Sequence, residues 1–169
     1  MAGTKRTGLG LLAPGESAKS ERVELRTAGD ADLQAIATWY GEAVAIATGS
    51  SAAARPKGPQ TLAILVAGRQ EPAGVLEFAI GEPSEGSLEV RFIAMERPMR
   101  GWGYGSEAVR LLEEISLERP GARRFWAAIR PANGLNVYFW LRLGYRTACP
   151  EDGLPVPVDG LLMVYEPPA

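Results

Sequence analysis

A stretch of alternating glycines, Arg100-Gly101-Trp102-Gly103-Tyr104-Gly105, constrains this chain more than any other feature. The residues before it, Leu88 to Met95, are rich in apolar side chains and read as a strand. The residues after it place Ala108, Val109, Leu112 and Ile115 at helical spacing. A glycine-rich turn between strand and helix points bare backbone N–H groups at one spot. The positive end of the helix dipole adds to the field there, so the spot attracts phosphate. Glycine suits such a turn because a Cβ would hinder close approach and positive φ angles. Neither of two familiar phosphate loops fits. There is no Gly-x-x-x-x-Gly-Lys-Ser/Thr, and the third glycine comes one residue too early for a dinucleotide fingerprint.

Composition narrows the chemistry. The chain has 169 residues, enough for one domain with a substantial core. Its 18 basic and 20 acidic residues give a net charge of -2, and the basic ones are scattered. That argues against a nucleic-acid partner, which needs a clustered basic surface. No stretch is apolar enough for a transmembrane helix, and the patch Gly8 to Ala13 is too short for a secretory signal. The sequence therefore predicts a cytoplasmic protein without a membrane partner. Cys149, the single cysteine, cannot form an internal disulfide, and it stands outside any nucleophile motif. There is no histidine. His-based triads and the His-Glu-x-x-His metal helix are excluded, and no metal is expected. A general base must be a carboxylate, tyrosine, lysine or water.

Along the chain, residues 1–20 read as a mobile N-terminal leader and 21–169 as one domain. Strands are expected at Val23 to Arg26, Thr61 to Ala67, Gly74 to Ile80, Ser87 to Glu96 and Arg124 to Arg130. A closing hairpin is expected from Tyr145 to Ala148 and Leu161 to Glu166. Helices are expected after Asp30 or Asp32, with Leu33, Ile36, Ala37, Tyr40 and Val44 inward, and from Gly105 to Glu118. A short third helix follows Asn133. Residues 49–60 read as a loop, with a short helix at Ser51 to Arg55 as the alternative, and 149–160 read as a second loop.

Two blocks carry a family resemblance. Arg100, Gly103 and Gly105 match Arg/Gln-x-x-Gly-x-Gly/Ala, and Asn133 to Tyr145 is similar to Asn-x-x-Ala-x-x-Leu-Tyr-x-x-x-Gly-Phe. Both patterns, at this separation and in this element order, resemble the GNAT N-acetyltransferase superfamily. The resemblance covers about Val23 to Pro167. It implies an α/β (α+β) fold, a mixed and mostly antiparallel sheet of six to seven strands flanked by helices, with splayed central strands. It also implies acetyl-CoA as cofactor and an amine, on a small molecule or a peptide, as acceptor. A homodimer stays open.

The same resemblance assigns provisional roles. The amides of Gly101, Trp102, Gly103, Tyr104, Gly105 and Ser106 would cradle the pyrophosphate, with Arg100 adding charge. Backbone groups near Ile93 and Met95 would pair with pantetheine, where the sheet parts between Ala94 and Ile129. Asn133 stands where the family contacts the cofactor arm, and equally where a helix N-cap belongs. Asn136 is the alternative polar contact. Glu89, eleven residues before Arg100, matches the base-bearing glutamate of the histone acetyltransferase branch. In a regular pleat Glu89 would share a face with Arg91 and form an ion pair instead. Trp140 departs from the pattern: the family's acid at that place is a tyrosine, and indole N–H is not a usable acid. Tyr138 serves as acid only in a shifted helix register, and Trp140 equally suits a core position under the cofactor arm. Trp39, Tyr40 and Trp126 read as core, with lining of the acceptor cleft as the alternative. Glu151, Asp152 and Asp159 could attract a cationic acceptor or simply be solvated. Two rivals remain: a non-catalytic acyl-CoA-binding or sensing domain, motivated by Trp140, and a nucleotide-binding module, which fits the glycine loop alone.

Overall fold

The computed structural model of the chain describes residues 11–48, 56, 60–130, 134–155 and 159–169. Among them, eight strands form one sheet: β1 (Ser17–Lys19), β2 (Val23–Thr27), β3 (Thr61–Val66), β4 (Gly74–Ile80), β5 (Ser87–Met95), β6 (Arg124–Ile129), β7 (Arg146–Thr147) and β8 (Leu161–Tyr165). Their spatial order is β1-β2-β3-β4-β5-β6-β8-β7. Neighbours run antiparallel except β5 and β6, which are parallel because α2 (Tyr104–Glu118) crosses between them. The other helices are α1 (Asp30–Thr48) and α3 (Gly134–Arg142).

The sheet starts earlier than composition suggests. Ser17–Lys19 pairs with β2, and Leu11 and Leu12 are buried. Thr27 Oγ1 donates to the Leu12 carbonyl at 2.8 Å, tying that segment down. A three-residue edge strand flanked by charges leaves little hydrophobic signal, yet short charged edges suit the rim of a sheet. This strand makes the count eight rather than six or seven.

The two faces of the sheet differ. On one face, α2 and α3 cover a continuous core that includes Leu88, Val90, Phe125, Ala127 and Met163 from the strands and Val109, Leu112 and Trp140 from the helices. Phe125, Ala127 and Ile129 lie on one side of β6 as the alternation predicts. On the other face the core is in two pieces. α1 sets Ile36 and Tyr40 against Ala63, Leu65 and Val75, while Trp126, Leu154, Leu162 and Val164 form a separate cluster. Ala37, expected to face inward on α1, is exposed instead.

One buried polar group locks α2 to the turn after α3. The Glu113 carboxylate accepts from Tyr145 O–H at 2.8 Å and from Arg110 at 3.0 Å. Arg110 also donates to the Leu143 carbonyl, beside Gly144 at φ +87°. Burial pushes the Glu113 carboxyl above its ordinary value, against the opposing pull of Tyr145 and Arg110.

Two outcomes follow. A Cβ at Gly74 would stand 2.8 Å from the Ala94 carbonyl oxygen and 2.5 Å from Met95 Sδ. Gly74→Ala is expected to cost ~1–3 kcal/mol by denaturant unfolding, as overpacked sites do. Tyr145→Phe removes a donor from a buried carboxylate and is expected to cost about 1–3 kcal/mol. Because the folded Glu113 holds its proton above the unfolded value, its stabilising contribution is present at low pH and fades as pH rises. Losing the Tyr145 donor raises that carboxyl further. The Tyr145→Phe deficit should therefore be larger at about pH 8 than at about pH 5, read from urea titrations at both.

Candidate active site

β5 and β6 pair only over Ser87–Glu89 with Arg124–Trp126. Beyond Glu89 they part, and β6 continues against β8 through Ile129 and Leu161. The expected parting between Ala94 and Ile129 lies inside this opening. The Glu96 N–H donates to the Ala73 carbonyl at the start of β4. By alternation, the main-chain groups of Ile93 and Met95 point the opposite way, into the opening. The Met95 carbonyl there accepts from Arg100 Nε at 2.9 Å. Arg100 thus folds the loop back on the strand end while its remaining N–H groups stay available.

The glycine loop lies at the same end. Gly101 and Gly103 adopt φ +80° and +84°, a region that penalises any Cβ, and Gly103 is the N-cap of α2. Gly105 differs: its φ is ordinary, and a Cβ would meet Phe139, Ile93 and Met95 at no less than 3.6 Å. The Gly/Ala tolerance in the family pattern at this place has that physical basis. No side chain caps α2. The N–H groups at the start of a helix have no intrahelical acceptor, and here they open onto an exposed loop. Trp102 beside them is 65% exposed. The arrangement has the elements of an anion nest: orphaned donors, a helix dipole and access.

Arg22, which sequence reasoning passed over, braces this nest. Its guanidinium donates to the Trp102 carbonyl at 3.1 Å, lies 5.0 Å from the Tyr104 ring centre, and pairs with Glu107 at 2.7 Å. Glu107 also accepts from Ser20 Oγ and the Arg22 N–H. Burial works to raise the Glu107 carboxyl, but these Ser20 and Arg22 bonds outweigh it and hold the group below its ordinary value. A carboxylate in the first turn would otherwise oppose an incoming anion; the Arg22 charge offsets it.

On the α1 face, the break in the core coincides with the opening. The register of β4 and β5 shifts between Glu77↔Phe92 and Phe78↔Val90, so Arg91 bulges without a partner. Glu89 and Arg91 are nevertheless bonded, Oε2 to Nε at 3.0 Å. The bulge turns the strand without separating the pair. Glu77 lies on the same face, half-buried, and accepts from Tyr40 O–H. Burial pushes the Glu77 carboxyl above its ordinary value, while Tyr40 and the Arg91 charge pull against it. Tyr40, in contact with Phe92 edge-on at 5.3 Å, is itself raised by burial and by Glu77. Thr61 is the register partner of Glu77, and its buried hydroxyl has no hydrogen-bond partner. A signal for Glu77 existed in the sequence: it is the lone charged residue in an otherwise apolar Gly74–Ile80.

The remaining predicted residues are dispersed. Trp140 is 2% exposed and packs edge-on against Tyr145, inside the core of the opposite face. Tyr138, about 200° round α3 from Trp140, is 58% exposed and lies under Arg142. Asn136 is half-buried on α3, and Asn133 lies outside the described residues, as does most of 49–59. Trp39, Tyr40 and Trp126 pack in the cores as expected. Asp152 is occupied by Arg146 and by the Cys149 N–H, which together hold its carboxyl far below the usual range. Cys149 is exposed. No helix among the described residues is long and apolar enough to cross a membrane.

A sheet that parts beside a parallel pairing, with an uncapped helix start and a glycine loop at the mouth of the parting, is the arrangement that the family resemblance of the sequence implies. The chain belongs to the acetyltransferase (GNAT) family, whose model matches residues 21–145. The family transfers acetyl groups and takes acetyl-CoA as cofactor. Solved structures agree on the fold. A GNAT-family acetyltransferase from Bacillus anthracis is 16% identical with a TM-score of 0.71, covering 89% of this chain and 98% of its own. An acetyltransferase from Agrobacterium tumefaciens is 18% identical with a TM-score of 0.70, covering 90% and 95%. A protein from Salmonella typhimurium, assigned as an acetyltransferase and solved with its cofactor acetyl-CoA, is 18% identical with a TM-score of 0.60, covering 85% and 93%. A comparison with curated protein sequences returns no match.

Removing the Arg22 guanidinium should leave Glu107 facing the nest uncompensated. Arg22→Ala is expected to weaken coenzyme A binding about tenfold, roughly 1.4 kcal/mol, in a calorimetric titration, with unchanged circular dichroism.

Proposed function

We propose that the chain binds acetyl-CoA along the β5–β6 opening and acetylates a primary amine by direct attack, with no covalent enzyme intermediate. The observation that carries this is the shared location of three features: orphaned α2 amides, the β5 edge that β6 leaves at Ile93 and Met95 with only the Met95 carbonyl held by Arg100, and a polar cluster at the break in the α1-face core. The nest from Gly101 to Ser106 takes the pyrophosphate, with Arg100 and Arg22 supplying charge at its rim. Backbone donors and acceptors of β5 take the amide-bearing arm as an added strand would. Bound in this way, acetyl-CoA presents an activated acetyl group to whatever enters from the α1 face. The carboxylates there, Glu77 and Glu89, favour a cationic amine, and Arg91 neutralises part of their charge.

No dedicated acid is required for the leaving group. A thiol has a pKa of about 8.5, so its thiolate departs readily and water can protonate it. This suits Trp140, which is core here rather than a proton donor. The same observation favours the second reading, a non-catalytic acyl-CoA-binding domain. The reading extends to a single domain, a cytoplasmic setting and either a monomer or a homodimer.

Two measurements test it. Acetyl-CoA-dependent thiol release across a panel of primary amines is the expected result; saturable coenzyme A binding without release supports the second reading. Gly103→Val should weaken coenzyme A at least about tenfold, because the position needs φ +84° and open backbone. Retention of full affinity would place the pyrophosphate elsewhere.

A further inference from the structure

We propose that Glu77, held by Tyr40, is the group that takes the proton from the incoming ammonium, and that Glu89 is not. This rests on the acetyl-transfer reading above. Glu77 lies opposite Phe92, next to the bulge at Arg91, on the face where the core is interrupted beside the opening. Its surroundings come from three elements. α1 supplies the Tyr40 hydroxyl, which donates to Oε2. β3 supplies Thr61, a buried hydroxyl with no hydrogen-bond partner, on the same face. β5 supplies the Arg91 charge and the Phe92 ring. Among the described residues, these are the titratable and charged groups that face it, with Glu89 reaching it only through Arg91.

Glu89 is differently placed. Its Oε2 is bonded to Arg91 Nε at 3.0 Å, so protonating it would break an ion pair. Glu77 has no direct cation: its bonded partner is a neutral phenol. Burial disfavours its charge, which makes it a stronger proton acceptor than an ordinary carboxylate. Tyr40 keeps the carboxylate oriented and limits that rise. It is a positioning residue.

The transfer balances simply. The ammonium gives one proton to Glu77, directly or through a water. The free amine nitrogen bonds to the thioester carbonyl carbon, the carbon–sulfur bond breaks, and sulfur keeps the electron pair. The second nitrogen proton leaves as the amide forms and reaches the thiolate through solvent. Glu77 returns its proton to solvent before the next turnover.

The test uses the full chain. The panel is a polyamine, a lysine peptide, a peptide with a free N-terminus and an aminoglycoside, with thiol release followed against pH. In parallel, carboxyl 13C labelling of glutamate follows the Glu77 titration by NMR without ligand. Glu77→Gln should lower kcat/KM by about 100-fold or more and abolish the acidic limb, while coenzyme A affinity is kept. Tyr40→Phe removes a donor that favours the carboxylate, so it should move both the limb and the NMR midpoint to higher pH. Glu89→Gln should retain the limb. A limb that survives Glu77→Gln, a limb lost in Glu89→Gln, or a Glu77 midpoint at or below about 4.3 overturns the assignment while leaving acetyl transfer intact. Wild-type protein that binds acetyl-CoA but releases no thiol from any amine ends the transfer reading, and this assignment with it.

Discussion

The parallel contact between β5 and β6 lasts three residues, and the site depends on where it stops. While Ser87–Glu89 face Arg124–Trp126, the two halves of the sheet are one body. Past that point every β5 group on the β6 side needs another partner, since an unpaired main-chain amide or carbonyl away from water is costly. Arg100 takes one of them, the Met95 carbonyl. The rest are presented along an edge, which in an ordinary sheet would be a liability. What keeps the halves together is the opposite face, where α2 and α3 lay a single apolar core across both. The opening is therefore one-sided: floored by packed side chains, and entered from the face that α1 only half covers.

The electrostatics follow from that geometry. An uncapped helix beginning at an exposed glycine loop offers a field for an anion but no discrimination. In the proposed binding mode discrimination comes from reach, because a ligand long enough to use both the nest and the β5 edge gains contacts that a lone anion lacks. The acidic residue in the first turn of α2 would weaken the field. Arg22, fixed by the β1–β2 corner, offsets it through a two-point contact with Glu107 and a third to the Trp102 carbonyl. The short N-terminal strand thus contributes to the site indirectly, by setting where Arg22 starts.

One buried and one half-buried glutamate show how context divides labour between like residues. Glu113 and Glu77 are both pushed upward by burial and each is bonded to a tyrosine. Glu113 sits within the continuous core, saturated by Tyr145 and Arg110, and locks α2 to the turn after α3. Glu77 sits at an interruption of the core, with one neutral donor and a half-exposed surface. The first arrangement resists change; the second leaves a proton acceptor where a molecule can reach it.

Much of the fold was readable in one dimension. β4 falls on Gly74–Ile80 as its short apolar run and flanking turns require, and α2 begins within a residue of its expected start. These assignments rest on local rules: apolar runs bounded by turns, helical periodicity and glycine at positive φ. β1 escaped because three residues between small and charged neighbours carry no period. At the site, the glycine loop was legible, since it lies within one strand–loop–helix unit; the parting of the sheet, which involves β6 beyond that unit, was implied by the family resemblance alone. Glu77, Tyr40, Thr61 and Arg22 were not assembled from the sequence. They come from β4, α1, β3 and the β1–β2 corner, and nothing in their spacing says that they meet. The chain by itself determined where an anion can be held, because backbone conformation is a local property of glycine and helix ends. Which carboxylate is free to accept a proton was decided only by tertiary structure, because burial and partnership are set by the neighbours that folding brings into contact.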